Sequence, residues 1–211
     1  MVLINLAIVY GGLQEWDLAL KTAKRGLSID ERCYGQNHLE VARDLLSLGS
    51  LTLAQGDYAE AESYMRRCID LRQHQLGPNN AEVLAAQDIL CQSLVEQGKH
   101  EEASTLLKGL IAAAEQLMKS AQRDDVPSGL VNLYARRAHS LEALGRTKAA
   151  CGDLIAALAA LKRANLTDAP QSKQLSQWLA RLRAEQRTRT TASPKPRLKA
   201  KPAGKPRSKA K

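Results

Sequence analysis

The sequence predicts an all-α fold in which antiparallel helix pairs stack side by side into a solenoid. Three observations carry this prediction: a composition typical of helices, a repeat of 42 residues, and two apolar helical stripes within each repeat. The 211 residues include no Phe and only seven Trp and Tyr, so Leu, Ala, Ile and Val must form the core. Abundant Leu and Ala with few aromatic side chains favours helices over strands.

The repeat is visible when the chain is compared with itself at an offset of 42 residues, which is the first comparison to make for a helical sequence. Core positions coincide, as Leu6, Leu48 and Leu90 do. Loop positions coincide as well, since Gly56 pairs with Gly98. Agreement in both core and loops indicates that one structural unit is repeated along the chain.

Each period divides into two helices, because apolar residues recur at intervals of three and four and a turn cluster then interrupts them. In the second period Val41, Leu45 and Leu48 fall on one face of a first helix, which ends at 55–57. A second helix follows from about Tyr58 to Gln75. Two such helices cannot cover their own apolar faces, so neighbouring units must stack.

Small residues recur at one place on the first helices and, twelve residues later, at one place on the second helices. These residues are Ala7, Gly49, Cys91 and Ala138, followed by Ala19, Ala61, Ala103 and Ala150. Small side chains at facing positions allow two helix axes to come close together. We therefore expect each helix pair to be tightly packed at this point.

A small residue, a twelve-residue gap and an Ala, with a turn Gly between them, resemble the tetratricopeptide repeat. The 42-residue period, with loops Y-G-Q-N-H at 34–38 and L-G-P-N-N at 76–80, is similar to the kinesin light chain and nephrocystin-type subgroup. The resemblance implies a right-handed α-solenoid of about four units followed by a C-terminal capping helix. It specifies the fold much more narrowly than the function.

The predicted repeat domain covers residues 1–188, and residues 189–211 form a separate tail. The units are expected at about 1–37, 38–79, 80–122 and 127–165, with the capping helix at 170–188. The fourth unit follows the third after 47 residues, which indicates a short insertion between them. The first helix is short, so a further hypothesis is that the chain is a fragment of a longer array.

The net charge of +9 lies entirely in the tail. Of 31 Lys and Arg, nine follow Thr188, where there is no Asp or Glu, so 22 basic residues balance the 22 acidic residues of the rest. A segment of this composition is expected to be disordered. It could bind non-specific nucleic acid or an acidic protein or membrane surface. The candidate polyanion-binding residues are Lys195, Arg197, Lys199, Lys201, Lys205, Arg207, Lys209 and Lys211.

No catalytic motif is present in the sequence. The four His are at least 26 residues apart, the four Cys form no C-x-x-C pair, and no G-x-x-x-x-G-K-[ST] loop occurs. We therefore expect no enzymatic activity, cofactor or metal. Reduced and mostly buried thiols favour a cytoplasmic protein, and the basic tail leaves a nuclear or nucleoid-associated location as the alternative. No apolar run is long enough to span a membrane.

Stacked helix pairs coil into a concave surface lined by the first helices, and such a surface holds an extended peptide or a partner helix. The candidate lining residues are Asn5, Arg43, Leu46, Ser47, Ser50, Asp88, Gln92, Glu96, Asn132, His139 and Glu142. Asn5 alone matches the Asn that the kinesin light chain resemblance would place before the Leu and small-residue pair. The main hypothesis is a scaffold or adaptor that binds protein partners, and the alternative is a nucleic-acid-associated factor anchored by its tail.

Overall fold

The computed structural model describes residues 2–120 and 128–192, and these ranges contain nine helices and no strand. The helices are α1 (Val2–Gly12), α2 (Trp16–Tyr34), α3 (Leu39–Gln55), α4 (Tyr58–Leu76), α5 (Ala81–Glu96), α6 (His100–Ser120), α7 (Ser128–Ala143), α8 (Thr147–Arg163) and α9 (Pro170–Ala192). We call α1, α3, α5 and α7 the first helices and α2, α4, α6 and α8 the second helices. The predicted all-α fold is confirmed.

Helix ends lie at the turn residues that the sequence marks. The Asp57 carboxylate accepts a hydrogen bond of 3.0 Å from the backbone N–H of Glu60 at the start of α4. The Asn80 side chain accepts one of 2.8 Å from the N–H of Glu82 at the start of α5. These contacts satisfy backbone donors that have no partner within the helix. Gly56, with φ of 94°, adopts the left-handed conformation that ends α3, which Gly does without steric cost.

The two helices of a pair are closest at the small residues. Gly49 on α3 and Ala61 on α4 are both fully buried. A Cβ atom added at Gly49 would overlap the terminal methyl of Met65 and lie 3.4 Å from the carbonyl oxygen of Ala61. The other six small residues of the pattern are also buried. The predicted close approach is therefore present in the structure.

The array curves with its first helices on the inside. Consecutive helices pack against each other along the described part of the chain, and in addition α1 contacts α3, α3 contacts α5, and α5 contacts α7. Within the described residues the backbones of the second helices do not come comparably close, and long side chains bridge them instead, as in the ion pairs Lys24–Glu60 and Arg66–Glu102. First helices are thus nearer to each other than second helices are, and this asymmetry produces a concave inner surface and a convex outer one.

The last helix is longer than expected. α9 continues to Ala192, four residues beyond the boundary predicted at 188, and packs its buried Leu175, Leu179 and Leu182 against α8. Residues 193–211, which carry the candidate polyanion-binding side chains, lie outside the described residues, as does most of the insertion at 121–127. Their predicted character stays a prediction. Among the described residues, no helix combines the length and apolarity needed to cross a membrane.

Replacing Ala61 with Leu should lower the free energy of unfolding by about 1–3 kcal/mol, because the larger side chain must be inserted where α3 and α4 are closest. Chemical denaturation followed by circular dichroism measures this change. The matched control is Ala59→Leu on the exposed side of the same helix, with an expected change below about 0.5 kcal/mol. Equal destabilisation by both variants would contradict the close approach of the two helices.

Candidate functional site: the inner face

The inner face is the concave surface formed by the first helices and defined by the eleven lining residues predicted above. None of them is buried in the core. Six are exposed, namely Asn5, Ser50, Gln92, Glu96, Asn132 and His139. Five are half-buried, namely Arg43, Leu46, Ser47, Asp88 and Glu142. Their role in binding a partner is a proposal. Their surroundings differ along the array.

The C-terminal end of the inner face forms a cleft of about 820 Å³ between α7 and α9. Its lining residues are His139, Glu142 and Ala143 from α7 and Gln174, Gln177, Trp178 and Arg181 from α9. The cleft combines an aromatic surface, two side-chain amides and charges of both signs. Such a mixture is typical of sites that hold a ligand by a few directed polar contacts beside an apolar wall.

Glu142 is the polar centre of this cleft. Its carboxylate accepts a hydrogen bond of 2.6 Å from the indole N–H of Trp178 and another of 2.7 Å from the guanidinium of Arg181. A third contact joins the same helices, because the Gln171 amide donates to the Asn132 side chain at 2.9 Å. These bonds fix the Trp178 ring in the wall of the cleft. Its orientation is therefore set before any partner binds.

The rings of Trp178, His139 and His100 form a row that leads from this cleft to the start of α6. The His139 ring lies 6.5 Å from the Trp178 ring and 5.9 Å from the His100 ring, measured between centroids. The Nδ1 atom of His100 is buried and has no hydrogen-bond partner among the described residues. The aromatic surface of the cleft thus extends beyond Trp178, and His139 forms its middle part.

The central part of the inner face has fewer internal bonds. Arg136 on α7 forms an ion pair with Asp88 on α5, which links two adjacent first helices across the surface. One and two turns further along α5, Gln92 and Glu96 are exposed and form no hydrogen bond within the described residues. The polar groups of these two side chains are therefore free to bind a partner at the middle of the array.

Arg43, the charged candidate on α3, is held by acidic neighbours. Its guanidinium pairs with Glu40 on the same helix and lies 3.8 Å from Asp30 on α2. Asp44 is 3.7 Å away and fully buried, and within the part of the chain that the structure describes neither of its carboxylate oxygens accepts a hydrogen bond. Burial, followed by the nearby Asp30 carboxylate, raises the pKa of Asp44 to about 6, against the opposite effect of Arg43. Asp44 is therefore mostly ionised at neutral pH, and its ionisation in the folded state costs stability relative to a solvent-exposed carboxylate.

Sequence reasoning placed α9 at the end of the array as a cap and did not assign its side chains to the inner face. The signal for that assignment is Ala180, which lies 42 residues after Ala138 and so occupies the small-residue position of a fifth first helix. Gln174, Gln177 and Arg181 then have the same offsets as Asn132, Ala135 and His139 have from Ala138. α9 lacks the turn that follows a first helix. For this reason its equivalence to a first helix was not recognised from the sequence.

The described residues contain no group of three or more His, Cys, Asp or Glu that could hold a metal ion. Of the four Cys, Cys33 is exposed and the others are buried. Burial raises the pKa of Cys68 to about 11 and that of Cys91 to about 12, so both thiols are protonated at neutral pH. Because the thiolate is the reactive form, these two residues act in packing.

The stacked helix pairs and their inner cleft define a helical repeat protein of the α-solenoid class. A family model described as Tetratricopeptide repeat matches residues 1–74 and 45–116, which together span more than half of the chain. The chain belongs to the tetratricopeptide repeat family, as its repeats predicted. No curated protein matches it.

Solved structures similar to this chain include several repeat arrays. A kinesin light chain-like protein of Podosopora anserina with nearly identical TPR-like repeats aligns with a TM-score of 0.74 and 18% identity, over 90% of this chain and 88% of that one. BtubC (BKLC) from P. vanneervenii aligns at 0.61 and 16%, over 98% and 70%. A Rap protein complexed with competence and sporulation factor aligns at 0.57 and 18%, over 88% and 48%. At these identities the likeness establishes the fold alone.

Replacing Asp44 with Asn should stabilise the protein at pH 7.5 by on the order of 1–3 kcal/mol, because the buried site disfavours the carboxylate. The folded pKa lies above the unfolded one, so the wild-type protein loses stability as the pH rises from about 4 to about 6. The variant should lack this loss, and its advantage should disappear near pH 4. Denaturation curves across this pH range test the expectation.

Asp70→Asn is the matched control, since Asp70 is exposed on α4. It should leave the pH dependence of unfolding unchanged. If Asp44→Asn destabilised the protein at pH 7.5, the carboxylate would be making a favourable contact with Arg43 that outweighs its burial.

Proposed function

We propose that this protein is an interaction scaffold or adaptor that holds a peptide or helix of a protein partner on its inner face. The observation that carries the proposal is the cleft between α7 and α9, where Glu142 fixes the Trp178 ring beside the exposed amides of Gln174 and Gln177. A fixed aromatic surface binds an apolar side chain at low entropic cost, and neighbouring amides can pair with a peptide backbone.

The charges of the inner face favour a partner segment of mixed rather than uniform charge. Arg181 and Arg136 are already neutralised by Glu142 and Asp88, and Glu96 adds an acidic group at the middle of the array. A segment with an apolar anchor for the cleft and a basic residue toward Glu96 fits this arrangement. The complex of a related Rap protein with competence and sporulation factor supports the idea that a solenoid of this shape can hold a ligand.

Removing exposed side chains of the inner face should weaken this binding and leave the fold intact. Peptides selected from a displayed random library on the wild-type protein should bind at least about tenfold more weakly to the triple variant Gln92→Ala, His139→Ala and Gln177→Ala, a loss of about 1.4 kcal/mol. The dissociation constants are measured by isothermal titration calorimetry.

The matched control carries three truncations at exposed residues of the second helices α6 and α8: Lys108→Ala, Gln116→Ala and Ile155→Ala. It should bind the selected peptides as the wild-type protein does. If the control lost as much affinity as the inner-face variant, or if neither lost any, the peptides would be bound elsewhere and the proposed site would be wrong.

A second candidate function is attachment to nucleic acid through the tail, and the observation that favours it is the segregation of charge. The nine basic residues after Thr188 account for the whole net charge of +9. Cations at this density neutralise phosphates, and the resulting affinity falls steeply with salt. In this role the repeat array would recruit a protein to the bound nucleic acid.

The full chain should then retard double-stranded DNA in a gel at low salt, with a dissociation constant of about 10⁻⁴ to 10⁻⁶ M at physiological salt. A chain truncated after Ala192, where α9 ends, should not retard it. Absence of retardation by the full chain at low salt would exclude this function and leave the scaffold proposal unaffected.

A further inference from the structure

A groove of about 840 Å³ lies on the outer side of the third unit, between the second helices α4 and α6. We call it the outer groove. None of the eleven inner-face residues lines it, so the two surfaces are separate. A volume of this size with a mainly apolar lining is typical of a binding site. The large apolar residues of the lining are Ile69, Leu84, Leu90, Leu106 and Leu110.

The second unit closes the equivalent position with an ion pair. There the Arg67 guanidinium on α4 pairs with Glu31 on α2 at 2.6 Å, and this bond bridges two second helices. The equivalent residues 42 positions later are Gly109 on α6 and Gln73 on α4, and both line the outer groove. A glycine and an amide cannot form an ion pair. The bridge is therefore missing from the third unit, and the space between α4 and α6 stays open.

A second exchange widens the outer groove. Ala113 lines it where the second unit has Leu71, a side chain that packs against the core of the second unit. The ion pair of 2.6 Å between Arg66 and Glu102 still joins α4 to α6 beside the groove. The opening is therefore a local effect of smaller side chains and does not result from a general separation of the two helices.

Gly109 has no role in the packing of the repeat array. It lies in the middle of α6, and a Cβ atom added to it would have no neighbour within 4 Å. Gly49 differs, because Met65 leaves no room for a side chain there. Gly within a helix is less favourable than Ala, so Gly109 lowers the stability of α6 without improving its packing. A ligand that approaches the backbone of α6 closely would explain this residue.

Two side-chain amides in the outer groove have no partner. Gln73 of α4 and Gln87 of α5 are half-buried, and neither amide forms a hydrogen bond within the described residues. Covering an amide is unfavourable unless its donors and its acceptor are bonded. The occupant must therefore supply both kinds of group. The main chain of an extended peptide does so, whereas the main-chain groups of a helix are bonded to each other and an alkyl chain has none.

The charges of the outer groove restrict the side chains of its occupant. Its charged lining residues already have partners: Arg66 pairs with Glu62 and Glu102. Glu101 pairs with Arg146. The rest of the lining is uncharged. A charged group that entered would lose its hydration without gaining a counter-charge. The complementary segment is therefore uncharged, unlike the segment of mixed charge that we propose for the inner face.

We propose that the outer groove is a second binding site, and that it holds an extended, uncharged and apolar segment of a protein partner. The apolar side chains of this segment pack against the Leu and Ile lining, and its main chain bonds to Gln73 and Gln87. It passes α6 closely at Gly109. The inference does not depend on the proposed function, because the outer groove and the inner face share no residue.

Short displayed peptides that lack Asp, Glu, Lys, Arg and His are the probe. They are selected on the triple variant Gln92→Ala, His139→Ala and Gln177→Ala, which lacks side chains of the inner face. The result is then separate from the test of the inner face. Selected peptides are synthesised with capped ends, and their dissociation constants for the triple variant are measured by isothermal titration calorimetry.

Gly109→Arg and Ala113→Leu fill the outer groove with the residue types that the second unit has at these positions. Added to the triple variant, they should raise the dissociation constant at least about tenfold. The matched control adds Gly152→Arg and Ala159→Leu on α8, where both residues are exposed and a Cβ atom at Gly152 also has no neighbour. The control should bind the peptides as the triple variant does. Circular dichroism during heating shows whether each variant is folded.

The double variant Gln73→Met and Gln87→Met tests whether the occupant is extended. It removes both amides at nearly constant size, so loss of hydrogen bonds to the peptide main chain should weaken binding about three- to tenfold. A helix or an alkyl chain would bind this more apolar groove equally well or better. Failure to select any peptide, equal affinity for the filled groove, an equal loss in the control, or undiminished binding to the double variant would each overturn the proposal.

Discussion

The architecture depends on the close approach of the two helices in each pair, which small residues make possible. At Gly49 there is no room for a side chain beside Met65, and the Ala61 backbone is in contact distance. Close approach brings the larger apolar residues that flank these positions into contact across the pair, where they exclude water. Because the same contact recurs after 42 residues in the first three units and after 47 in the fourth, each unit has nearly the same shape, and similar units stack into a curve.

The small-residue positions also determine which way every other residue of a first helix points. Residues at one set of offsets from the small residue lie on the inner face, and residues at another set, such as Leu48 and Leu51 on α3, pack against the preceding second helix. Asp44 belongs to the second set and is fully buried, which raises its pKa, while Asp88 lies on the inner face and forms an ion pair with Arg136. Ala86, the equivalent of Asp44 in the next unit, has no polar group to bury.

The sequence predicted the features that depend on the spacing of residues along one helix pair. It did not predict contacts between residues from distant parts of the chain. The helix pairs, their turns and the close contact at Gly49 follow from local periodicity. The cluster around Arg43 does not, because it requires Asp30 from the end of α2 to reach a buried position on α3. The contribution of Trp178 to the inner face was also missed, since it depends on Glu142 accepting its N–H and on α9 taking the place of a first helix without the usual turn.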